Sequence, residues 1–153
     1  MVKKIKIYKN FKVNKKDTKS IILIGNFDGL HSGHQKLFKE AKKFKKKLNL
    51  NLGVITFDPI PKMFFDKKIK NYRISNFNQK VSYFEKFGVD FLINKNFNKK
   101  FSKITYNKFI ENILYKSLNA KYIFVSNNFR FGYKREGNVK LLKNYQIKYK
   151  YKL

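Results

Sequence analysis

The sequence has 153 residues, which is the size of one domain with its own hydrophobic core. It contains no cysteine, which excludes a disulfide framework, a thiolate nucleophile and a cysteine zinc site, and a reducing compartment such as the cytoplasm is expected. The formal net charge of +28 would suit nucleic acid. However, all but three of the 37 basic residues are Lys and Ala is scarce, as in an A+T-rich coding sequence, so no nucleic-acid partner is expected.

No run of about 18 apolar residues occurs, and the N-terminal residues lack the apolar region of a signal peptide, so neither a membrane span nor a signal peptide is expected. Short apolar runs predict strands that a parallel sheet buries on both faces, at residues Ile21–Ile24, 52–57, 90–93 and 122–125. Looser alternation predicts an edge hairpin strand within 3–13. A last strand is predicted over 146–152, with Ile147, Tyr149 and Tyr151 on one face.

Helical periodicity fills the gaps between these runs. The first helix is predicted to begin near His34, with Ser32 and Gln35 at the spacing of a capping box. A second helix carries apolar residues from 77 to 87 and is predicted to open at Ser75 and close at Gly88. A third follows Thr105 as N-cap. This alternation predicts one α/β domain over 1–153, an open doubly wound parallel sheet with ligands beyond the carboxyl ends of its strands.

The loop after the first buried strand contains both histidines, in the run GNFDGLHSGH. Glycines in such a loop let the backbone approach a phosphate, and a helix N-terminus adds unpaired N–H groups and a positive dipole end. His31 and His34 would complete an anion site. Metal ligation by the pair is not expected, because Asp28 is the only further candidate ligand nearby.

Two later loops also follow predicted strands. Residues 56–65 hold both prolines of the chain and three phenylalanines, which indicate either a slot for a flat aromatic ligand or a rigid turn with core side chains. Residues 126–138 hold two of the three arginines, among aromatics and glycines. Arginine can clamp a phosphate and asparagine can read the edge of a base or flavin, while a polar surface loop is the alternative.

Taken together, the three loops resemble one family. GNFDGLHSGH resembles the G-x-F-D-G-x-H-x-G-H signature of the bacterial FAD synthetases, the nucleotidylyltransferase half of bifunctional riboflavin kinase/FMN adenylyltransferases. The segments TFDPIP and NNFRFGYKREGN resemble that family's T-F-[ED]-P-x-P and [ED]-[DN]-F-x-F-G-x-x-x-x-G-[DN] segments, in order and spacing. The resemblance covers the whole chain and implies a Rossmann-like HxGH nucleotidylyltransferase fold.

The resemblance also implies adenylyl transfer from ATP to FMN, giving FAD and pyrophosphate with Mg²⁺. His31 and His34 would be catalytic. The residues implied for ATP binding are Gly25, Asn26, Phe27, Asp28, Gly33, Asn128 and Arg130. Those implied for flavin binding are Phe57, Pro59, Pro61, Phe65, Asn128 and Phe131. No residue is assigned to a metal.

The sequence departs from the family pattern at several positions. Ser126 and Asn127 replace the usual glycine and acidic residue, and Ile60 stands where a polar residue is common. The family continues beyond the last strand with an S-S-T-x-x-R segment that binds ATP phosphates and a riboflavin kinase domain, so the chain is expected to be a fragment, with that kinase expected in cis in the full protein. Three alternatives remain: transfer to another phosphorylated acceptor, a catalytically silent flavin- or nucleotide-binding domain, and a basic nucleic-acid-binding module.

Overall fold

The computed structural model describes residues 4–29, 31–68 and 76–153. Its strands are β1 (Lys6–Tyr8), β2 (Ile21–Ile24), β3 (Leu52–Asp58), β4 (Phe91–Asn96), β5 (Tyr122–Phe124), β6 (Arg130–Phe131) and β7 (Gly137–Asn138). Its α-helices are α1 (Ser32–Leu48), α2 (Pro61–Phe65), α3 (Phe77–Lys86), α4 (Lys99–Ser102), α5 (Tyr106–Lys108), α6 (Val139–Asn144) and α7 (Gln146–Tyr149). A π-helix (Phe109–Ser117) continues α5, and short 3₁₀ helices span Lys15–Asp17 and Tyr133–Arg135.

Five strands form a parallel sheet in the order β1-β4-β3-β2-β5. The chain runs outward from β2 through β3 to β4 and then returns to place β5 on the other side of β2. This reversal confirms the predicted doubly wound sheet. It also creates a crevice between the carboxyl ends of β2 and β5, where open α/β sheets bind ligands.

Both faces of the sheet are covered. In β2, Ile21 and Leu23 belong to one core cluster with Phe38 of α1 and Phe84 of α3. Ile22 and Ile24 belong to a second cluster, with residues of the π-helix and the C-terminal helices. Alternate strand residues point to opposite faces, so all four side chains of β2 are buried. The continuous apolar run Ile21–Ile24 follows from this two-sided burial.

The two weaker strand predictions were wrong in part. Residues 6–8 form an edge strand, but it pairs parallel to β4, so it is not half of a hairpin. Residues 146–149 form α7, and only Lys152 makes a bridge, to Tyr122. Ile147 is 94% exposed whereas Tyr149 is buried against Tyr115 of the π-helix, so packing between helices overrode the alternation.

The predicted helices are present, with corrections at their starts. The N-cap of α1 is His31, and Ser32 is the first helical residue, so the capping box at Ser32 was wrong. The N-cap of α3 is Asn76, in a capping box with Gln79, and Ser75 lies outside the described residues. Thr105 caps α5 as predicted. Among the described residues, no helix has the length and apolar character to cross a membrane.

Candidate active site

The loop from β2 to α1 begins with a close contact between Gly25 and Phe27. A Cβ at Gly25 would lie 3.1 Å from the Phe27 ring, so this position favours glycine. Phe27 has a φ of +49°, in the left-handed region that bulky residues rarely adopt. Its ring is buried against Phe38 and Phe84, at centroid distances of 5.0 and 6.2 Å. Core packing therefore holds the β2–α1 loop in a conformation that the backbone alone disfavours.

The two histidines lie together at the start of α1. Their rings stack at a centroid distance of 3.7 Å and an interplanar angle of 24°. His31 is exposed, and its Nδ1 accepts a hydrogen bond of 3.2 Å from the backbone N–H of Gly33. A Cβ at Gly33 would lie 3.1 Å from that ring, so glycine permits the close approach. Because Nδ1 is an acceptor, the neutral ring of His31 carries its proton on Nε2, where it can donate to an anion.

His34 is the more buried member of the pair. Its Nδ1 is buried and has no hydrogen-bond partner among the described residues, and its ring meets Phe27 edge-on at 5.3 Å. Burial lowers the pKa of His34, and the charges of His31 and Lys80 lower it further, whereas Asp28 acts in the opposite direction. The neutral imidazole is therefore favoured in the folded protein.

Lys80 is a site residue that the sequence reasoning missed. It is 7% exposed, and its Nζ donates a hydrogen bond of 2.6 Å to the backbone carbonyl of Asn26 in the β2–α1 loop. The spacing of residues in the sequence could have identified Lys80, because position 80 lies three residues after Phe77 and four before Phe84. It therefore falls on the apolar stripe of α3, where a lysine is out of place unless its ammonium group has a partner.

A cavity of about 680 Å³ opens at the same edge of the sheet, within the size range of small-molecule sites. Of the residues predicted to bind ATP or flavin, it is lined by Asn26, Phe57, Pro61, Phe65, Arg130 and Phe131. Those that do not line it are Gly25, Phe27, Asp28, His31, Gly33, His34, Pro59 and Asn128. Asn26 belongs to the histidine-bearing loop, so that loop borders the cavity although the two imidazoles do not line it.

Further lining residues lie outside the sets that the family resemblance assigns to ATP and flavin. The additional aromatic side chains are Phe97, Phe101, Phe109 and Phe129, and the additional cationic ones are Lys62, Lys134 and Arg135. Phe97 follows β4 and Phe129 follows β5, so the cavity collects side chains from the carboxyl ends of neighbouring strands. Gly132 has a φ of +79°, and a Cβ there would lie 2.7 Å from the Tyr106 backbone nitrogen. Glycine at position 132 therefore allows the chain after β6 to pack closely against Tyr106 beside the cavity.

The remaining predicted residues lie in the loops around the cavity. The peptide bond between Asp58 and Pro59 is cis, and Pro61 is the first residue of α2. Asn128 is exposed, and its side-chain oxygen accepts a hydrogen bond of 2.9 Å from the Ser126 hydroxyl. In the described part of the chain, no group of three or more His, Cys, Asp and Glu side chains is placed to hold a metal ion.

Comparison with known proteins identifies the family of the chain. A family model described as FAD synthetase matches residues 13–153. The chain belongs to the FAD synthetase family. This FAD synthetase-family chain is 39% identical over 141 residues to the bifunctional riboflavin kinase/FMN adenylyltransferase of Buchnera aphidicola subsp. Schizaphis graminum, covering 92% of the chain and 45% of that protein. The Escherichia coli K12 protein of the same name is 34% identical over 129 residues, covering 84% and 41%.

The chain thus spans less than half the length of these curated relatives. A solved structure is also similar to this FAD synthetase-family chain: the macrolide-efflux protein from Streptococcus pneumoniae, with a TM-score of 0.75 and 30% identity. That match covers 91% of this chain and 46% of the solved one. Macrolide efflux belongs to the name of that protein alone, and what it shares with this chain is the α/β fold.

Proposed function

We propose that this chain transfers the adenylyl group of ATP to FMN, giving FAD and pyrophosphate. The observation that carries the proposal is the position of Asn26. This residue belongs to the loop that bears the histidine pair and also lines the aromatic cavity. In a chain of the FAD synthetase family, a phosphate-binding loop beside an aromatic cavity suits a reaction that joins a nucleotide to a flavin.

The cavity is the proposed FMN site. Its aromatic side chains, among them Phe57, Phe65 and Phe131, would pack against the flat isoalloxazine ring. Arg135 is a cationic member of the same lining, and it suits the phosphate of FMN because a guanidinium donates two parallel hydrogen bonds to a phosphate. Pro59 and Asn128 would contribute from the bordering loops.

The β2–α1 loop is the proposed ATP phosphate site. His31 would donate from Nε2 to a phosphate oxygen, since its Nδ1 is engaged with Gly33. The buried Nδ1 of His34, unpaired among the described residues, supports a ligand contact there, because buried polar atoms are normally paired. Backbone N–H groups of the loop, from Gly25 to Asp28, and the N-terminus of α1 would add positive potential. Arg130 and Asn128 would bind ATP from the opposite side of the crevice.

The proposed step is a single in-line displacement. An oxygen of the FMN phosphate attacks the α-phosphorus of ATP, the bond from that phosphorus to the bridging oxygen breaks, and pyrophosphate leaves. Catalysis then rests on positioning the two phosphates and on neutralising the developing negative charge, which the imidazoles and N–H groups would provide.

Mg²⁺ fits this site as an ion carried by the triphosphate. Magnesium is usually held by substrate phosphates with one or two carboxylates, and Asp28 lies close enough to His34 to influence its pKa. The ion would supply charge neutralisation on the phosphate oxygens. Asp28 is the proposed carboxylate beside it.

The relatives' name also concerns a second activity, that of a riboflavin kinase. We infer that the chain corresponds to the adenylyltransferase part of such a protein, over residues 1–153, and that a riboflavin kinase domain accompanies it in cis. We further infer a cytoplasmic location, where ATP and FMN are available together.

The experiment is to incubate the chain with FMN, ATP and Mg²⁺ and to measure FAD by chromatography. His34→Ala is the matched control, because it removes one imidazole from the loop. We expect FAD from the parent chain and about tenfold to a thousandfold less from the variant. Competition of pantetheine phosphate and nicotinamide mononucleotide against FMN tests the choice of acceptor.

Three outcomes would contradict the proposal. FMN or ATP binding with no more FAD than the His34→Ala control would indicate a silent binding domain. Stronger binding of another acceptor would indicate a different transfer reaction. Tight oligonucleotide binding with a steep salt dependence would indicate a nucleic-acid-binding module.

A further inference from the structure

Lys80 is charged and buried at a position that disfavours a cation. It lies in the first turn of α3, where the positive end of the helix dipole opposes its charge. It is also 7% exposed, so its ammonium group has lost most of its water. The hydrogen bond of 2.6 Å to the carbonyl oxygen of Asn26 offsets these costs. This bond joins α3 to the phosphate-binding loop.

The hydrogen bond fixes the orientation of one peptide unit. Because the Asn26–Phe27 peptide is planar and trans, the carbonyl oxygen of Asn26 and the N–H of Phe27 point in opposite directions. An oxygen held toward Lys80 therefore directs the Phe27 N–H away from α3. Phe84 of the same helix packs against the Phe27 ring, with centroids 6.2 Å apart. Helix α3 thus holds both the peptide and the side chain of this turn.

The charge of Lys80 also affects the pKa of His34. Burial lowers the pKa of His34 most, and the positive charges of His31 and Lys80 lower it further. The ammonium group is therefore close enough to add positive potential where His34 lies. Lys80 acts on the loop in two ways, through the Asn26 carbonyl and through its electrostatic field.

We propose that Lys80 is a positioning residue for the triphosphate of the nucleotide: by holding the Asn26 carbonyl toward α3, it presents the Phe27 N–H to a phosphate oxygen. The identity of the ligand rests on the proposed function. Without Lys80 the Asn26 carbonyl loses this hydrogen bond, and a rotated peptide would turn a carbonyl oxygen, which carries partial negative charge, toward the phosphate. Binding of ATP, rather than binding of the flavin, should depend on this residue.

The test compares Lys80→Met, Lys80→Gln and Lys80→Arg with the parent chain. Lys86→Met is the matched control, because Lys86 is exposed on the same helix. Calorimetry measures the dissociation constants for ATP with Mg²⁺ and, separately, for FMN, and thermal unfolding confirms that each variant is folded. In Lys80→Met and Lys80→Gln we expect ATP affinity to fall about tenfold or more, as for a lost charge-assisted hydrogen bond. FMN affinity should change much less than ATP affinity, and Lys80→Arg should recover most of the ATP affinity.

Two results would overturn the inference. One is parent-like ATP affinity in a folded Lys80→Met or Lys80→Gln chain. The other is an equal loss of ATP and FMN affinity, which would indicate a purely structural role. If the Met variant does not fold, Lys80→Gln and Lys80→Arg decide by the same criteria.

The same measurements separate this inference from the proposed function. A parent chain that binds ATP and forms no FAD rejects the transfer reaction, while the ATP affinities still decide the role of Lys80. A parent chain that forms FAD, with a KM for ATP unchanged in Lys80→Met, rejects the role of Lys80 alone. A parent chain that binds no ATP rejects both.

Discussion

His31 caps α1 and, in the proposed reaction, also donates a hydrogen bond to a phosphate, and one pair of substitutions separates these two roles. In His31→Ala, α1 loses both its N-cap acceptor and an imidazole. The hydrogen bond from Gly33 is 3.2 Å long and exposed, so its loss should lower the free energy of unfolding by about 0.5–1 kcal/mol, at the low end for N-caps. For a chain of this size, Tm should fall by about 2–3 °C. His31→Asn keeps a good capping side chain and should retain the parent's stability.

The rate of FAD formation should not follow the free energy of unfolding in His31→Ala and His31→Asn. Both variants lack the Nε2–H donor, so we expect FAD formation to fall about tenfold to a thousandfold in each. The assays are urea unfolding for stability and chromatographic detection of FAD for activity. Parent-like turnover in His31→Asn would refute the role of the imidazole. Equal stability of His31→Ala and His31→Asn would refute the capping role.

Three further predictions concern the core and pH. A Cβ at Gly53 would lie 2.2 Å from the buried Phe91 ring, so Gly53→Ala should lower the free energy of unfolding by about 2 kcal/mol. In a double-mutant cycle with Phe91→Leu, additive changes in the free energy of unfolding would contradict this clash. The Asp90 carboxylate lies 2.9 Å from the Lys45 ammonium group and accepts a hydrogen bond from the backbone N–H of Leu52. Asp90→Asn should therefore lower the free energy of unfolding by about 1–3 kcal/mol, measured by urea unfolding. An unchanged urea midpoint would be evidence against a stabilising role of this ion pair. Burial lowers the pKa of His34, so the folded state binds a proton at this residue less readily than the unfolded state does. The free energy of unfolding should therefore fall as the pH drops below about 6.5 and through the lowered pKa. His34→Gln should reduce this pH dependence, and identical stability–pH profiles of the parent and the variant would argue against the lowered pKa.

The doubly wound sheet was predictable because its evidence is local. Runs such as Ile21–Ile24 have no polar face, which only a sheet buried on both sides accommodates. The helix after this strand was equally clear from its periodicity. The chain's last segment was not, since tyrosine–lysine alternation fits either a strand or a short helix, and the contact between Tyr149 and Tyr115 decided it.

The candidate site shows the same division. GNFDGLHSGH placed two imidazoles at a helix start after a buried strand, and the structure stacks their rings. The sequence favoured Ser32 over His31 as the cap of this helix, and the structure decided it because side-chain capping depends on the path of the chain into α1. Lys80 and Phe97 are far from the histidines in sequence, and only the sheet order brings their elements beside the loop and the cavity.

The amino-acid sequence therefore determined the elements, their alternation and the loops that bear polar groups, because apolar period and glycine placement act over a few residues. The tertiary structure decided which distant side chains meet. A parallel sheet aligns the carboxyl ends of strands that are distant in the sequence, so the aromatic cavity and the contact from Lys80 to Asn26 exist only once β2, β3, β4 and β5 are in order.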